Sequence, residues 1–224
     1  MKNRIAILIT CLLAVFMFMA GSSQAAPFYG QIWTITGYNQ TIYDLTTTPA
    51  GSALASFTVD AIDFDSQALI GSYGGSVTYT QFLSNSLIGA PGPNVLAWAD
   101  LGSATFGAQP LITDSTTTSF FQFTGTAYFP DTFTIRHDDG FFLYINGVPF
   151  DSSYPTAPEL ATITLANLGL SAGIYNFTLN YAAWNSFPEV LQAPDVSPVP
   201  EPITMLLVGF GMLGVAGMRR KLRS

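Results

Sequence analysis

The stretch 133-FTIRHDDGFFLYINGVPF-150 carries three strand signals in eighteen residues. Phe133, Ile135 and His137 alternate with Thr132, Thr134 and Arg136, the period of two of a strand with one buried face. Phe141–Ile145 is a short apolar run. Asn146-Gly147 then supplies the dipeptide favoured by two-residue hairpins, whose central positions both need positive φ. Pro149 has no N–H to give a ladder, so the returning strand is expected at an edge. Between the first two strands, Asp138-Asp139-Gly140 reads as a turn in which Asp accepts from downstream amides and Gly140 takes the left-handed conformation.

The same period recurs downstream in 174-IYNFTLNY-181. Tyr175, Phe177, Leu179 and Tyr181 fall on one face, and Asn176, Thr178 and Asn180 on the other. "LSAG" (170–173) supplies the turn before it. Earlier strand candidates are Ile32–Thr36, Ala53–Val59, Ser76–Thr80, Val95–Ala99 and Phe120–Phe123, with "GAPGPN" (89–94) as a loop. Thr, Ser, Gly and aromatic residues dominate this body, and no repeat of 20–50 residues is visible. The expected fold is all-β: an antiparallel β-sandwich or jelly roll over residues 27–193.

The charges are distributed unevenly. Of seven basic residues in the 224-residue chain, six lie in the terminal segments. Residues 27–201 hold Arg136 and all fourteen acidic residues, a net charge of −13. Such a body repels phosphate backbones, which excludes nucleic acid as a partner, and it attracts divalent cations. The one cysteine, Cys11, precedes the body, which therefore has no disulfide, no Cys nucleophile and no thiolate metal site. With one histidine in the chain, a zinc site built on two or three His ligands is excluded, and a Ser-His-Asp triad would have to use His137.

Both ends are apolar. Met1–Ala26 has Lys2 and Arg4, an apolar run from Ile5 to Ala20, and small residues before a plausible cut, which reads as a signal peptide. Residues 194–202, "PDVSPVPEP", read as a stiff Pro-rich linker. Residues 203–218 read as a transmembrane helix, and 219–224 as a basic cytoplasmic tail that leaves the body outside the membrane.

Val199-Pro200-Glu201-Pro202, an apolar helix and then Arg219-Arg220-Lys221 together resemble the PEP-CTERM sorting signal. The resemblance implies export past a signal peptidase and a transient inner-membrane anchor facing the periplasm. It further implies processing by an exosortase and a final place at the cell surface or in a biofilm matrix. The central segment 133–150, followed by "LSAGIYNFTLNYAAWNS", is similar to the anthrax protective-antigen type (PA-fourteen) β-sandwich over about residues 126–189. In its lectin members an adjacent Asp pair binds Ca²⁺, which grips vicinal sugar hydroxyls. Carried over, the pair is Asp138 and Asp139. The loop after the late strand, "AAWNSFPE" (182–189), would complete the site. The family's Asn position falls near Ala183, and Asn185 is the available side chain. Trp184 and Phe187 are candidates to stack on a sugar.

Bland readings stand beside these. The Asp pair is a turn that can also present ligands. Arg136 is expected to hold that acidic turn by a salt bridge. His137 shares the face of Phe133 and Ile135 and is expected in the core rather than as a base. Asp60, Asp63 and Asp65 have partial calcium-loop spacing but lack the Gly and distal Glu of such a loop, so a solvated strand edge is expected. The functional expectation is a non-enzymatic surface protein binding extracellular polysaccharide, with Ca²⁺ as its cofactor. The alternatives are a structural matrix protein with no specific ligand, or a polysaccharide hydrolase with two carboxylates ~5–9.5 Å apart across a cleft.

Overall fold

The computed structural model describes residues 26–36, 44–66, 77–84, 95–98 (backbone only), 111, 117–152, 157–184 and 188–199. The readings of residues 1–25, 37–43 and 89–94, of Asn185 and Phe187, and of 200–224 lie outside the described residues. Those include Pro200, Glu201, Pro202, Arg219, Arg220 and Lys221. Among the described residues no helix is long and apolar enough to cross a membrane.

Residues Ala26–Val199 form one compact unit. Its strands are β1 (Phe28–Thr36), β2 (Ala55–Val59), β3 (Asp63–Asp65), β4 (Val95–Trp98), β5 (Thr117–Phe129), β6 (Thr132–Asp138), β7 (Phe141–Ile145), β8 (Val148–Ser152), β9 (Glu159–Thr164), β10 (Gly173–Ala183), β11 (Val190–Gln192) and β12 (Ser197–Pro198). They make two antiparallel sheets. The larger runs β4-β2-β1-β5-β10-β7-β8, with β12 also paired to β5, and the smaller runs β3-β11-β6-β9. The all-β antiparallel expectation holds.

The stretch that decided the fold has one consequence its sequence did not reveal. β7 and β8 form the expected hairpin, with Asn146 at φ 52° and Gly147 at φ 80°, and β8 with its Pro149 is an edge strand. β6, however, pairs with β9 and β11 in the small sheet, whereas β7 pairs with β10 in the large one. The Asp138–Gly140 segment is therefore a corner between sheets, not a hairpin turn. Gly140 is not among the residues with positive φ, which corrects the left-handed expectation, and the Asp138–Asp139 peptide bond is cis.

The core between the sheets is mostly aromatic. Phe28, Phe57, Phe64, Phe82, Phe121, Phe123, Phe133, Phe141 and Tyr181 are each buried to 1% exposure or less. Phe121 sits within ring contact of Tyr79, Phe82, Phe123 and Tyr181, with centroids 5.5–6.4 Å apart. Gly30 is required by this packing: a Cβ there would stand 2.4 Å from the Phe57 ring. A second, smaller cluster lies on the outer face of the large sheet. There Leu45 packs on Trp33, Phe120, Phe142 and Ala182. Leu45 O accepts from Asn180 Nδ2 (2.7 Å) and Gly51 O from Trp33 Nε1 (3.3 Å). This covering explains why β10 alternates only in its first half and is buried on both faces after Leu179.

Two sequence expectations fail. The described part of the Ser76–Thr80 candidate, residues 77–80, does not form a strand: Tyr79–Ser84 is a short helix, α1. Thr78 and Gln81 close it with a capping box, Gln81 N–H donating to Thr78 Oγ1 (3.1 Å) and Thr78 N–H to Gln81 Oε1 (2.8 Å). The segment read as a linker from 194 contains a turn at 194–195 and then the short strand β12 of the large sheet. Ser197 and Pro198 pair with Tyr128 and Ala127, and Ala26 N–H donates to Val199 O at 3.1 Å.

Candidate functional site

The sheet-to-sheet corner is where chemically capable side chains meet. β6 carries His137 and Asp138 into it, β10 brings Tyr181 and is followed directly by Trp184, and the chain returns at Glu189 before β11. Asp138 is 3% exposed, and His137, Asp139 and Glu189 are fully buried. Oδ2 of Asp139 accepts from the Trp184 N–H at 2.8 Å, which ties the corner to the start of the loop after β10. Glu189 holds the other end of that loop: its N–H donates to Ser66 Oγ (2.6 Å) and its O accepts from Ser66 N–H (2.9 Å).

Tyr181 lies between the acids. Its hydroxyl touches both the Asp138 carbonyl oxygen and Oε2 of Glu189, the latter at 2.8 Å. One hydroxyl proton cannot serve two acceptors. With Glu189 protonated both contacts are satisfied: Glu189 donates to Tyr181, and Tyr181 donates to Asp138 O. The electrostatics agree. Burial, reinforced by Asp139 and Asp138, pushes Glu189 well above the usual carboxylate range. Burial also raises Asp138 to about 7, against a smaller opposing pull from Arg136. Tyr181 is pushed up by burial and by Glu189, Asp139 and Asp138. Oε1 of Glu189 is buried without a hydrogen-bond partner.

His137 is a core residue, as its face predicted. Its Nδ1–H donates to Asp139 O at 2.7 Å, and its ring lies edge-on to Phe141 at 4.8 Å. Nε2 faces Ser152 Oγ (3.4 Å) and Glu159 Oε1 (3.5 Å). Burial lowers its pKa, with Asp139 O and Glu159 opposing, so at neutral pH the imidazole is uncharged and helps to fix the corner.

Other site expectations change. Arg136 makes an ion pair, but with Asp65 on β3 (2.7 Å) rather than with the Asp corner, and it also donates to Gln192 Oε1 (3.0 Å). Asp65 is therefore a largely buried ion-pair partner on an edge strand, not a solvated one, and Asp63 accepts from Gln192 Nε2 at 2.6 Å. Trp184 is 3% exposed, so its indole packs inside instead of offering a face to a sugar. Among the described residues, no group of three or more His, Asp or Glu side chains is disposed to hold a metal. Glu189 and Tyr181 had no assigned role in the sequence reading. Tyr181 immediately precedes the loop at 182–189 and Glu189 is its last residue, and that position was the available signal.

Residues 198–221 match the PEP-CTERM protein-sorting motif. The match spans Val199 to Lys221 and so contains every sorting residue expected from the sequence. The motif implies export, a membrane-anchored sorting signal at the C-terminus, and exosortase processing. No curated protein matches the chain. Among solved structures it is similar to the PA14 domain of the MpAFP antifreeze protein, at 14% identity and TM-score 0.45, over 78% of this chain and 86% of that one. It is also similar to a PA14 sugar-binding domain from an RTX adhesin, at 11% identity and TM-score 0.41, over 78% and 99%. A GH31 alpha-xylosidase from Xanthomonas citri matches at 9% identity and TM-score 0.37, over 76% of this chain and 13% of that one. The first two are domains of the type that residues 133–150 resemble.

Proposed function

We propose that this is an exported, non-enzymatic surface protein whose body binds extracellular polysaccharide through Ca²⁺ held at the Asp138–Asp139 corner. The observation that carries the reading is the Asp139–Trp184 hydrogen bond. It joins the acidic corner to the loop that the lectin resemblance requires as its second half. The donor set suits the ion in kind. Ca²⁺ takes about 6–8 oxygen ligands, many of them carboxylate or carbonyl. Asp138 and Asp139 would hold it, with Asn185 and loop carbonyls as further donors. A bound Ca²⁺ supplies coordination positions for vicinal sugar hydroxyls. The chain's own part is to orient the carboxylates and hold the loop: Trp184 N–H positions Asp139, and Tyr181 and His137 fix the two corner carbonyls.

The test is retention of the detergent-solubilised full chain on immobilised mannan and on polysaccharide from the producing cells, in Ca²⁺ and in EDTA. The expected result is Ca²⁺-dependent retention on at least one of them, weakened about tenfold or more in Asp138→Asn/Asp139→Asn, a loss of at least ~1.4 kcal/mol. Equal retention in Ca²⁺ and EDTA would remove the metal from the reading. Absence of retention throughout would favour a structural matrix protein.

A further inference from the structure

The outer face of the large sheet is a second candidate binding surface, remote from the Asp corner. Strands β1, β2, β5, β7 and β10, the centre of that sheet, contain no charged residue, in a body whose net charge is −13. An ordinary solvated sheet face carries Lys, Glu or Arg. Here the face carries amides, hydroxyls and large exposed side chains. Tyr29 is 40% exposed, Tyr128 43% and Ile174 59%. Thr126 Oγ1 donates to Asn176 Oδ1 (2.7 Å), so that amide is held in a fixed place across β5 and β10.

The register sets the dimensions. Tyr29 lies opposite Thr124, and Tyr128 is two same-face positions further along β5, about 13 Å at ~3.3 Å per residue. Tyr128 is flanked by Ile174 on β10 and Ser197 on β12. Two exposed phenol rings thus bracket a row of hydroxyl and amide groups. The segment at Leu45 covers the other end of the face, so the open part is the half near Ile174. Ile174 stands nine residues along β10 from Ala183, about 30 Å from the Asp corner end of the strand.

We infer that this uncharged half-face binds a neutral polysaccharide chain, without a metal ion. Charge selects the occupant. An anionic polymer would meet no cation on the face and would be repelled by the body. Side-chain amides and hydroxyls match sugar hydroxyls as donors and acceptors, and phenol rings offer an apolar surface with a polar tip to the C–H faces of a sugar. This inference goes beyond the calcium reading, and its test runs in EDTA so that the two fail separately.

The experiment is affinity electrophoresis of the full chain in mild detergent and EDTA, in gels containing hydroxyethylcellulose, dextran or alginate, with sedimentation to confirm the oligomeric state. The expected result is retardation by at least one neutral polymer and none by alginate. Tyr29→Ala/Tyr128→Ala and, separately, Ile174→Glu should each weaken that retardation about tenfold, while Asp138→Asn/Asp139→Asn leaves it unchanged. These side chains are exposed, and melting curves verify that each variant is folded. The inference is overturned by no retardation in either neutral gel, by folded face variants that bind as the wild type does, or by preference for alginate. A wild-type oligomer that the face variants dissociate, with no glycan retardation, would also overturn it by making the face an interface between copies.

Discussion

In buffers free of divalent cations, stability is expected to rise as the pH is lowered from 8 towards 5.5. The sign follows from proton counting. Asp138 is raised from its ordinary 3.8 to about 7, so between those values the folded state binds a proton that the unfolded state does not. A group shifted this way contributes stability that is complete below its unfolded pKa and lost as pH rises through the folded one. A displacement of three pH units corresponds to on the order of 4 kcal/mol over the whole window, and roughly two-thirds of that falls between pH 5 and pH 8. Glu189, raised by burial and by the neighbouring acids, acts in the same direction. His137 opposes them. Its lowered pKa means that stability is lost as pH falls below the ordinary histidine value, so the optimum lies on the mildly acidic side of neutrality. Urea midpoints at half-unit steps from pH 5 to 8 measure this. A midpoint that is flat, or that climbs towards pH 8, would contradict the buried-acid description of the corner.

The second large effect is in the core. Phe121→Ala is expected to lower stability by about 3–5 kcal/mol, the usual cost of deleting a buried phenyl group that its surroundings cannot refill. Phe121 is fully buried and stacks among Tyr79, Phe82, Phe123 and Tyr181, so the void would open between α1 and β10. For a chain of this size the melting temperature should drop by roughly 10 °C. Because the Phe121 ring supports Tyr181, which holds Asp138 O and Glu189, the loss should reach the corner as well. A fall of less than about 1 kcal/mol, read by urea titration, would mean that the ring stack is not the centre of the core.

The local pattern of the chain is legible where strands are long and one face is wet. β6 and the first half of β10 follow directly from the alternation of Phe, Ile and Leu with Thr and Asn, and β7 from a short apolar run closed by Asn-Gly. The pattern breaks down where tertiary covering replaces it: Asn180 is buried because Leu45 lies over it, and no period in β10 announces that. β3, β11 and β12 are two or three residues long, too short to show a period, so they exist only because neighbouring strands offer free edges. Ser76–Thr80 alternates like a strand, yet the Thr78–Gln81 capping box was readable and outweighs the alternation.

The Asp pair could be located from sequence, but its surroundings could not. Which sheet each flanking strand joins decides that Asp138–Gly140 is a corner rather than a turn, and that is a long-range choice. Glu189, fifty residues from Asp139, comes into the site only because β11 pairs with β6. Arg136 was legible as an ion-pair partner, but its register against β3 selected Asp65.

The most direct measurement is thermal unfolding of the detergent-solubilised full chain with and without Ca²⁺, beside Asp138→Asn/Asp139→Asn. At about 100-fold its dissociation constant, Ca²⁺ should stabilise the wild type by about 2.7 kcal/mol, which raises the melting temperature by roughly 5–10 °C. The double variant should show no such rise. A wild-type melting temperature that does not respond to millimolar Ca²⁺, or a double variant that responds equally, would contradict a calcium site at the Asp138–Asp139 corner.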